Sequence, residues 1–228
     1  MTDDVLIPAA TVLLVRDGGE GLEVLMLRRN SKIAFGGMWV FPGGAVEDDD
    51  RLHDAESSAR LAAVRETEEE SGLRVSAEAM ETWSFWEPPP RAAMSPQGAT
   101  KIRRFATWFF VVPAPEGDVA IDGGEIHEHR WLQPGHAMDL RRAGEIEIVP
   151  PTWVTLLQLS RHDSVDNALT WARTTTSREF RTRPIGKDPL TLAWSGDVAY
   201  EGGPADATGP RHRLTMLPDD WHYEDTAP

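Results

Sequence analysis

The chain of 228 residues contains no cysteine. That absence removes disulfides, thiolate zinc sites, iron–sulfur clusters and cysteine nucleophiles together, and it fits a reducing cytoplasm. Positive charge is also scarce: 37 Asp and Glu face 23 Lys and Arg, for a formal net charge of −14. A protein that grips nucleic acid through its phosphates needs a basic surface, so no such grip is expected. No apolar run reaches the length that spans a bilayer, and no membrane role is expected. The N-terminus carries Asp3 and Asp4 where an export signal carries Lys or Arg, which again points to the cytoplasm. Internal repeats, low-complexity tracts and the Gly-x-Ser-x-Gly turn of a serine hydrolase are missing as well.

What is present suits one elaborated domain, or a domain with an appended module, around a single packed core. The acid is uneven. Between Gly44 and Glu70, ten acidic side chains face Arg51, Arg60 and Arg65, an excess of seven that makes up half of the net charge. Something in that stretch tolerates strong self-repulsion.

Apolar runs at 9–15 and 22–28 read as strands joined by a Gly-rich hairpin over Asp17–Gly21. Met38 to Phe41 reads as a short strand stopped by Pro42-Gly43-Gly44, and an acidic loop over 48–56 follows. A helical pattern from Ser57 to Ser71 ends on Gly72, a residue suited to a left-handed cap. Further strands are expected at 80–86, 104–112 and 128–132, and helices at 150–159 and 165–173, the first opened by Pro150-Pro151. Glu87 to Gly98 reads as a loop. After Thr174 the chain turns to short apolar runs between turn residues. The class is therefore α/β (α+β) with a mixed β-sheet, divided into a main domain at 1–173 and a C-terminal β-rich extension at 174–228 folded back on it.

On the helix, a step of about 100° per residue puts Glu66, Glu69 and Glu70 on one face. Ala59, Ala62 and Ala63 lie behind them, while Leu61 and Val64 point the opposite way and would seat the helix on a sheet. Like charges at this spacing repel by a few tenths of a kcal/mol per pair. A hard divalent cation such as Mg²⁺ would offset that, because it prefers oxygen ligands and bridges carboxylates to phosphate. Arg65 stands four residues before Glu69 and can hold it in register. The bland alternative is a solvated acidic face, which is what most Glu-rich helices present.

The surrounding residues decide between them. Arg65 to Leu73, RETEEESGL, preceded by Phe41-Pro-Gly-Gly-Ala-Val-Glu47, resembles the signature of the Nudix hydrolases, enzymes that cleave nucleoside diphosphates linked to another group. RRFATWFFVV, EIHEHRWL and VPPTWVTLLQL further along resemble actinobacterial relatives of the coenzyme A diphosphatases, so the resemblance runs from Ala9 to Leu159. It implies a Nudix-type α/β/α sandwich and a Mg²⁺ (or Mn²⁺) site on Glu66, Glu69 and Glu70, joined by the Gly44 carbonyl. It also implies hydrolysis of a diphosphate linkage, with coenzyme A derivatives, dinucleotides and nucleotide sugars all open as substrates. The alternative is a catalytically weak Nudix-fold module that binds or regulates. Two features depart from the pattern. Gly44 and Arg65 stand 21 positions apart, seven more than usual, and the acid expected eight positions before Arg65 is replaced by Ser57, with Glu56 beside it as a substitute. An upstream motif of the coenzyme A-cleaving relatives is matched in part by Leu25-Met-Leu-Arg-Arg29 and Gly37, with Ile33 where Arg is expected.

Other roles each carry a structural alternative. The general base is sought among Glu66, Glu125 and Glu128, the last two equally readable as rim charges. Arg103 and Arg104 could contact the substrate diphosphate or simply end a strand. Trp86 could give a wall on which a base stacks, or be core, as most of nine Trp must be. Glu68 is expected in a structural ion pair, and Asp48, Asp49 and Asp50 as solvated charge. His127 and His129 share a strand face but show no third zinc ligand. The tail is left open between capping the core and completing a homodimer.

Overall fold

The computed structural model describes residues 5–30, 37–90, 103–121 and 123–227. Ile33 lies outside them, as does most of the expected loop from Glu87 to Gly98. The chain divides into two compact units. The larger holds Pro8–Ser84 and Thr107–Arg178, and the tail unit holds Met1–Ile7, Phe85–Ala106 and Glu179–Pro228.

In the larger unit, β1 (Leu6–Gly18) and β2 (Gly21–Arg29) form an antiparallel hairpin in which Gly18 faces Gly21. Only Gly19 and Glu20 remain for the turn, and Gly21 takes φ +123°, a conformation that glycine adopts without a Cβ clash. β3 (Trp39–Val40) pairs with β2. The Gly pair expected to stop that strand instead forms one of its own: β4 (Gly43–Ala45) pairs with Ala9–Thr11 of β1. After helix α1 (Ala55–Ser71) come β5 (Glu81–Glu87), β6 (Arg104–Pro113) and β7 (Ile126–Leu132), the last lying against β2. The strands run in the order β3-β2-β1-β6-β5, with β4 on β1 and β7 on β2.

Both faces of this sheet are covered. Ala10, Val12, Leu14, Leu25, Leu27, Phe110, Val112 and Ile126 pack with Ala59, Ala62 and Ala63 of α1 in one cluster. Leu13, Val15, Val24 and Met26 alternate to the other face and are also buried, as two-sided cover requires. α2 (Pro134–Arg142), α3 (Pro150–Leu159) and α4 (Val165–Thr174) follow. Trp83 of β5 donates from Nε1 to Gln158 of α3 at 2.9 Å and meets the Trp171 ring of α4 at 4.4 Å. The α+β class expected from the sequence holds. α2 was not expected, because only Pro134 and Ala137 are buried in it and so few apolar positions leave no periodic signal. No described helix is long and apolar enough to cross a membrane.

In the tail unit, β8 (Arg178–Arg181) leads into Thr182, which donates its N–H to the Glu87 carbonyl of the same unit at 2.9 Å. The expected hairpins join into one antiparallel sheet of β9 (Arg183–Lys187), β10 (Leu190–Ala193), β11 (His212–Met216) and β12 (Trp221–Asp225), in the order β12-β11-β10-β9. Its core is aromatic: Trp86 stacks on Phe180 at 3.9 Å, and Trp194 meets both edge-on. Beside it, the fully buried Asp197 carboxylate accepts from Arg213 Nη2 at 2.6 Å and Nε at 2.7 Å, and from the N–H groups of Ala199 and His212.

Candidate active site

Helix α1 starts at Ala55, two residues earlier than expected, capped by Asp54, whose side chain accepts the Ser57 N–H at 2.8 Å. It ends where expected, on Gly72 at φ +70°. Its seating reverses the sequence expectation. Ser58, Ala59, Ala62, Ala63, Thr67, Glu70 and Ser71 are the buried positions, while Leu61 and Val64 are only half-buried. Small side chains let the helix backbone approach the sheet closely. Thr67 and Ser71 bury their hydroxyls at no loss of hydrogen bonds, donating to Ala63 and Thr67 carbonyls one turn back at 2.7 and 2.6 Å. Glu66 and Glu70 follow this face and are carried in toward β4, while Glu69 stays exposed.

Glycine at β4 makes room for them. A Cβ on Gly44 would stand 2.2 Å from Glu66 Oε1, and one on Gly43, at φ +154°, would stand 2.2 Å from the Ala10 carbonyl oxygen. Gly43 donates its N–H to Glu70 Oε2 at 2.9 Å. Glu70 is 5% exposed, and burial pushes its carboxyl up to about 7; the Gly43 N–H and Arg29 oppose that, while the charges of Glu66 and Glu125 add to it. Glu66 is raised for the same leading reason, burial, with Arg65 pulling down and Glu69 and Glu125 pushing up. Four carboxylates, Glu66, Glu69, Glu70 and Glu125, thus belong to one electrostatic group. Glu125 reaches it from the start of β7, held by Arg29 Nη2 at 2.8 Å.

Arg65 organises the helix side. Its Nη1 donates to Glu66 at 2.8 Å and to Glu69 at 3.2 Å, the expected i to i+4 contact. Its Nη2 donates to Asp50 Oδ2 and to the Ala45 carbonyl, both at 2.9 Å. Burial would lower its pKa, but the hydrogen bonds and charges of Asp50 and Glu66 outweigh that and keep the guanidinium charged. Asp50 is therefore not solvated charge, although Asp48 and Asp49 are exposed as expected. Glu56 does not stand in for the missing acid at Ser57. It accepts from Arg60 at 2.8 Å and Thr82 Oγ1 at 2.5 Å, and Arg60 goes on to the Met80 carbonyl at 2.6 Å.

The remaining candidates have other partners. Glu128 is held by Arg130 at 2.7 Å and Arg28 at 3.5 Å, and Glu68 pairs with Arg74 at 2.7 Å. Arg103, Arg104 and Trp86 fall in the tail unit. There Arg103 is exposed with its guanidinium over the Phe105 ring, and Arg104 is buried, donating to the Pro88 carbonyl at 2.8 Å. Trp86 is 3% exposed and covered by Phe180, so it forms core rather than an open wall for a base. Among the described residues no three acidic or imidazole groups converge as a ready-made metal cage: Glu66 and Glu69 are turned to Arg65, and Glu70 to Gly43.

Fold and site together define an α+β protein with carboxylates gathered beside a Gly-Gly strand. The NUDIX domain matches residues 5–163, and the chain belongs to the Nudix family. It is a Nudix hydrolase, a pyrophosphohydrolase acting on acid anhydrides. The chain is similar to putative nudix hydrolase 7 of Caenorhabditis elegans, at 26% identity over 216 residues, covering 78% of this chain and 69% of that protein. A NUDIX hydrolase from Alicyclobacillus acidocaldarius shares the fold, with a TM-score of 0.62 at 22% identity over 77% of this chain and 98% of that one. The NUDIX domain of Shewanella oneidensis NrtR, solved with ADP-ribose, superposes less closely, with a TM-score of 0.48 at 16% identity over 69% of this chain and 87% of that one.

Proposed function

We propose that the protein hydrolyses a diphosphate linkage in a nucleotide-type substrate with Mg²⁺ or Mn²⁺ held by Glu66, Glu69, Glu70 and the Gly44 carbonyl. The observation that carries this reading is Glu70: a carboxyl 5% exposed, pushed up to about 7 by burial, beside the half-buried Glu66. A carboxylate pair so placed is poorly compensated by protein donors, and a hard cation fits the deficit. The donor set also fits, being oxygen throughout in a chain without cysteine. A ready-made cage is not needed, since Mg²⁺ keeps several waters and takes one or two carboxylates plus substrate phosphates. When bound, the ion supplies Lewis acidity toward a phosphoryl oxygen and acidifies a coordinated water.

The chain's own residues do the rest. Arg65 orients Glu66 and Glu69. Glu125, exposed and within the electrostatic group, accepts the proton of the attacking water, and is preferred to Glu128, which two arginines hold elsewhere. Coenzyme A derivatives, dinucleotides and nucleotide sugars form the substrate panel. Purified protein with Mg²⁺ should release a nucleoside monophosphate or its equivalent from at least one of them; inactivity across the panel would sink this reading.

A further inference from the structure

Between the end of α3 and one side of α4 lies a groove of about 520 Å³, within the roughly 300–1,000 Å³ of small-molecule sites. It stands far from the carboxylates. The turn joining the two helices is tied to the β1–β2 hairpin, where Asp17 accepts the Val165 N–H at 2.8 Å. A Cβ on Gly21 would stand 3.6 Å from the Asp163 carbonyl oxygen. Gly21 opens β2 and Arg29, which holds Glu125, closes it. At about 3.3 Å per residue those two ends are about 26 Å apart.

Helix α4 builds one wall. Ala168, Leu169 and Ala172 are its buried positions. Asn167, Thr170, Trp171 and Thr174 follow at i, i+3, i+4 and i+7, a single stripe that lines the groove. Trp171 meets Trp83 at 4.4 Å and His162 at 5.6 Å, so its ring is held in place. Hydrogen bonding gives the lining a polarity. Ser160 and Thr174 donate their hydroxyl protons to the Leu157 and Thr170 carbonyls at 2.9 and 2.8 Å, and Asn167 donates its amide to Asp163. Their side-chain oxygens keep lone pairs, so the groove offers acceptors beside an aromatic ring. Its charges balance. Arg161 and Asp163, which both line it, offset each other. Burial, with the Arg161 charge beside it, outweighs Asp163 and holds the His162 imidazole below its ordinary value, hence uncharged near neutral pH.

We propose that this groove is a second ligand site, for an uncharged ring that stacks on Trp171 and presents hydroxyl or amino donors to Ser160, Asn167 and Thr174. That chemistry is shared by nucleosides and monosaccharides. An anion is disfavoured, because Asp163 offsets Arg161 and the other polar groups are acceptors. The site does not rest on the metal reading above.

The test titrates adenosine, uridine and glucose, without added metal, into the full chain by isothermal titration calorimetry, with circular dichroism to establish folding. At least one should bind. Binding of a nucleoside but not glucose assigns a nucleoside site, binding of glucose alone a sugar site, and binding of both a site that reads ring hydroxyls. Trp171→Leu removes the stacked ring and should weaken binding about 10- to 100-fold. Thr170→Tyr fills the groove from an exposed position and should weaken it at least about tenfold by steric block. Glu70→Gln, in the distant carboxylate group, should leave affinity within about twofold of the parent. A parent that binds none of the three overturns the proposal. Parent-like affinity in folded Thr170→Tyr overturns it too, as does loss of affinity in Glu70→Gln, which would place the ligand at the carboxylates. Should Trp171→Leu not fold, Thr170→Tyr decides alone. A parent that binds but hydrolyses nothing leaves this site standing and overturns only the catalytic reading.

Discussion

Two buried carboxylates in this protein are treated in opposite ways. Asp197 in the tail unit is met by four donors, two from Arg213 and two from backbone N–H groups. Burial alone would raise it, but those donors outweigh burial and hold it below the ordinary carboxylate range. Glu70 in the larger unit is met by one N–H, from Gly43, and burial wins, lifting it to about 7. Asp197 is saturated by the protein, whereas Glu70 is left short of donors, which is what the ligand role proposed for it requires.

The contrast is testable at both ends. Glu70→Gln should cut turnover by roughly a thousandfold, the equivalent of several kcal/mol of lost charge stabilisation, while thermal melting shows no loss of stability. Retained activity would remove Glu70 from the site. Arg213→Ala leaves Asp197 buried and unpaired, and should cost roughly 3–5 kcal/mol in urea unfolding; a cost below about 1 kcal/mol would mean that the pair is solvated in practice. Gly44→Ala places a methyl where Glu66 lies, and should weaken Mn²⁺ about 10- to 100-fold, as misoriented ligands do, with little change in melting because a flexible side chain gives way.

The pH response of the tail follows from the sign of the Asp197 shift. Its folded pKa is depressed, so its stabilisation is present above the unfolded value of 3.8 and is lost as pH falls through the folded value. Melting temperature should therefore drop in strong acid, and Asp197→Asn should flatten that limb of the profile. Smallest of all, Asp48→Asn should shift stability by no more than about 0.5 kcal/mol, since its pair with Arg51 is exposed on both sides.

Much of the site was legible because it is local. Gly72 caps the helix that carries the box carboxylates, and helical spacing alone puts Glu66, Glu69 and Glu70 together. The orientation of that helix was not legible. Leu61 and Val64 carry the larger apolar area, yet the Ala–Ser–Thr face is the buried one, because proximity to a glycine strand favours small side chains over large. β4 was hidden for a related reason: Gly43 and Gly44 have no strand propensity, and only pairing with β1 makes them extended. Asp50 looked like its two solvated neighbours until a 3₁₀ turn at Asp48–Asp50 aimed it inward.

By itself the sequence determined three carboxylates on one helix face, a Gly-Gly approach and the family to which they belong. Tertiary structure decided which acids join them. Asp50 meets Arg65 across 15 positions and Glu125 meets Arg29 across 96, pairings set by loop return and strand order rather than by any local spacing. The physical reason is the range of the forces involved. Helix periodicity and caps act within a few residues, while burial, which sends Glu70 up and leaves Asp48 in water, exists only once distant segments have packed.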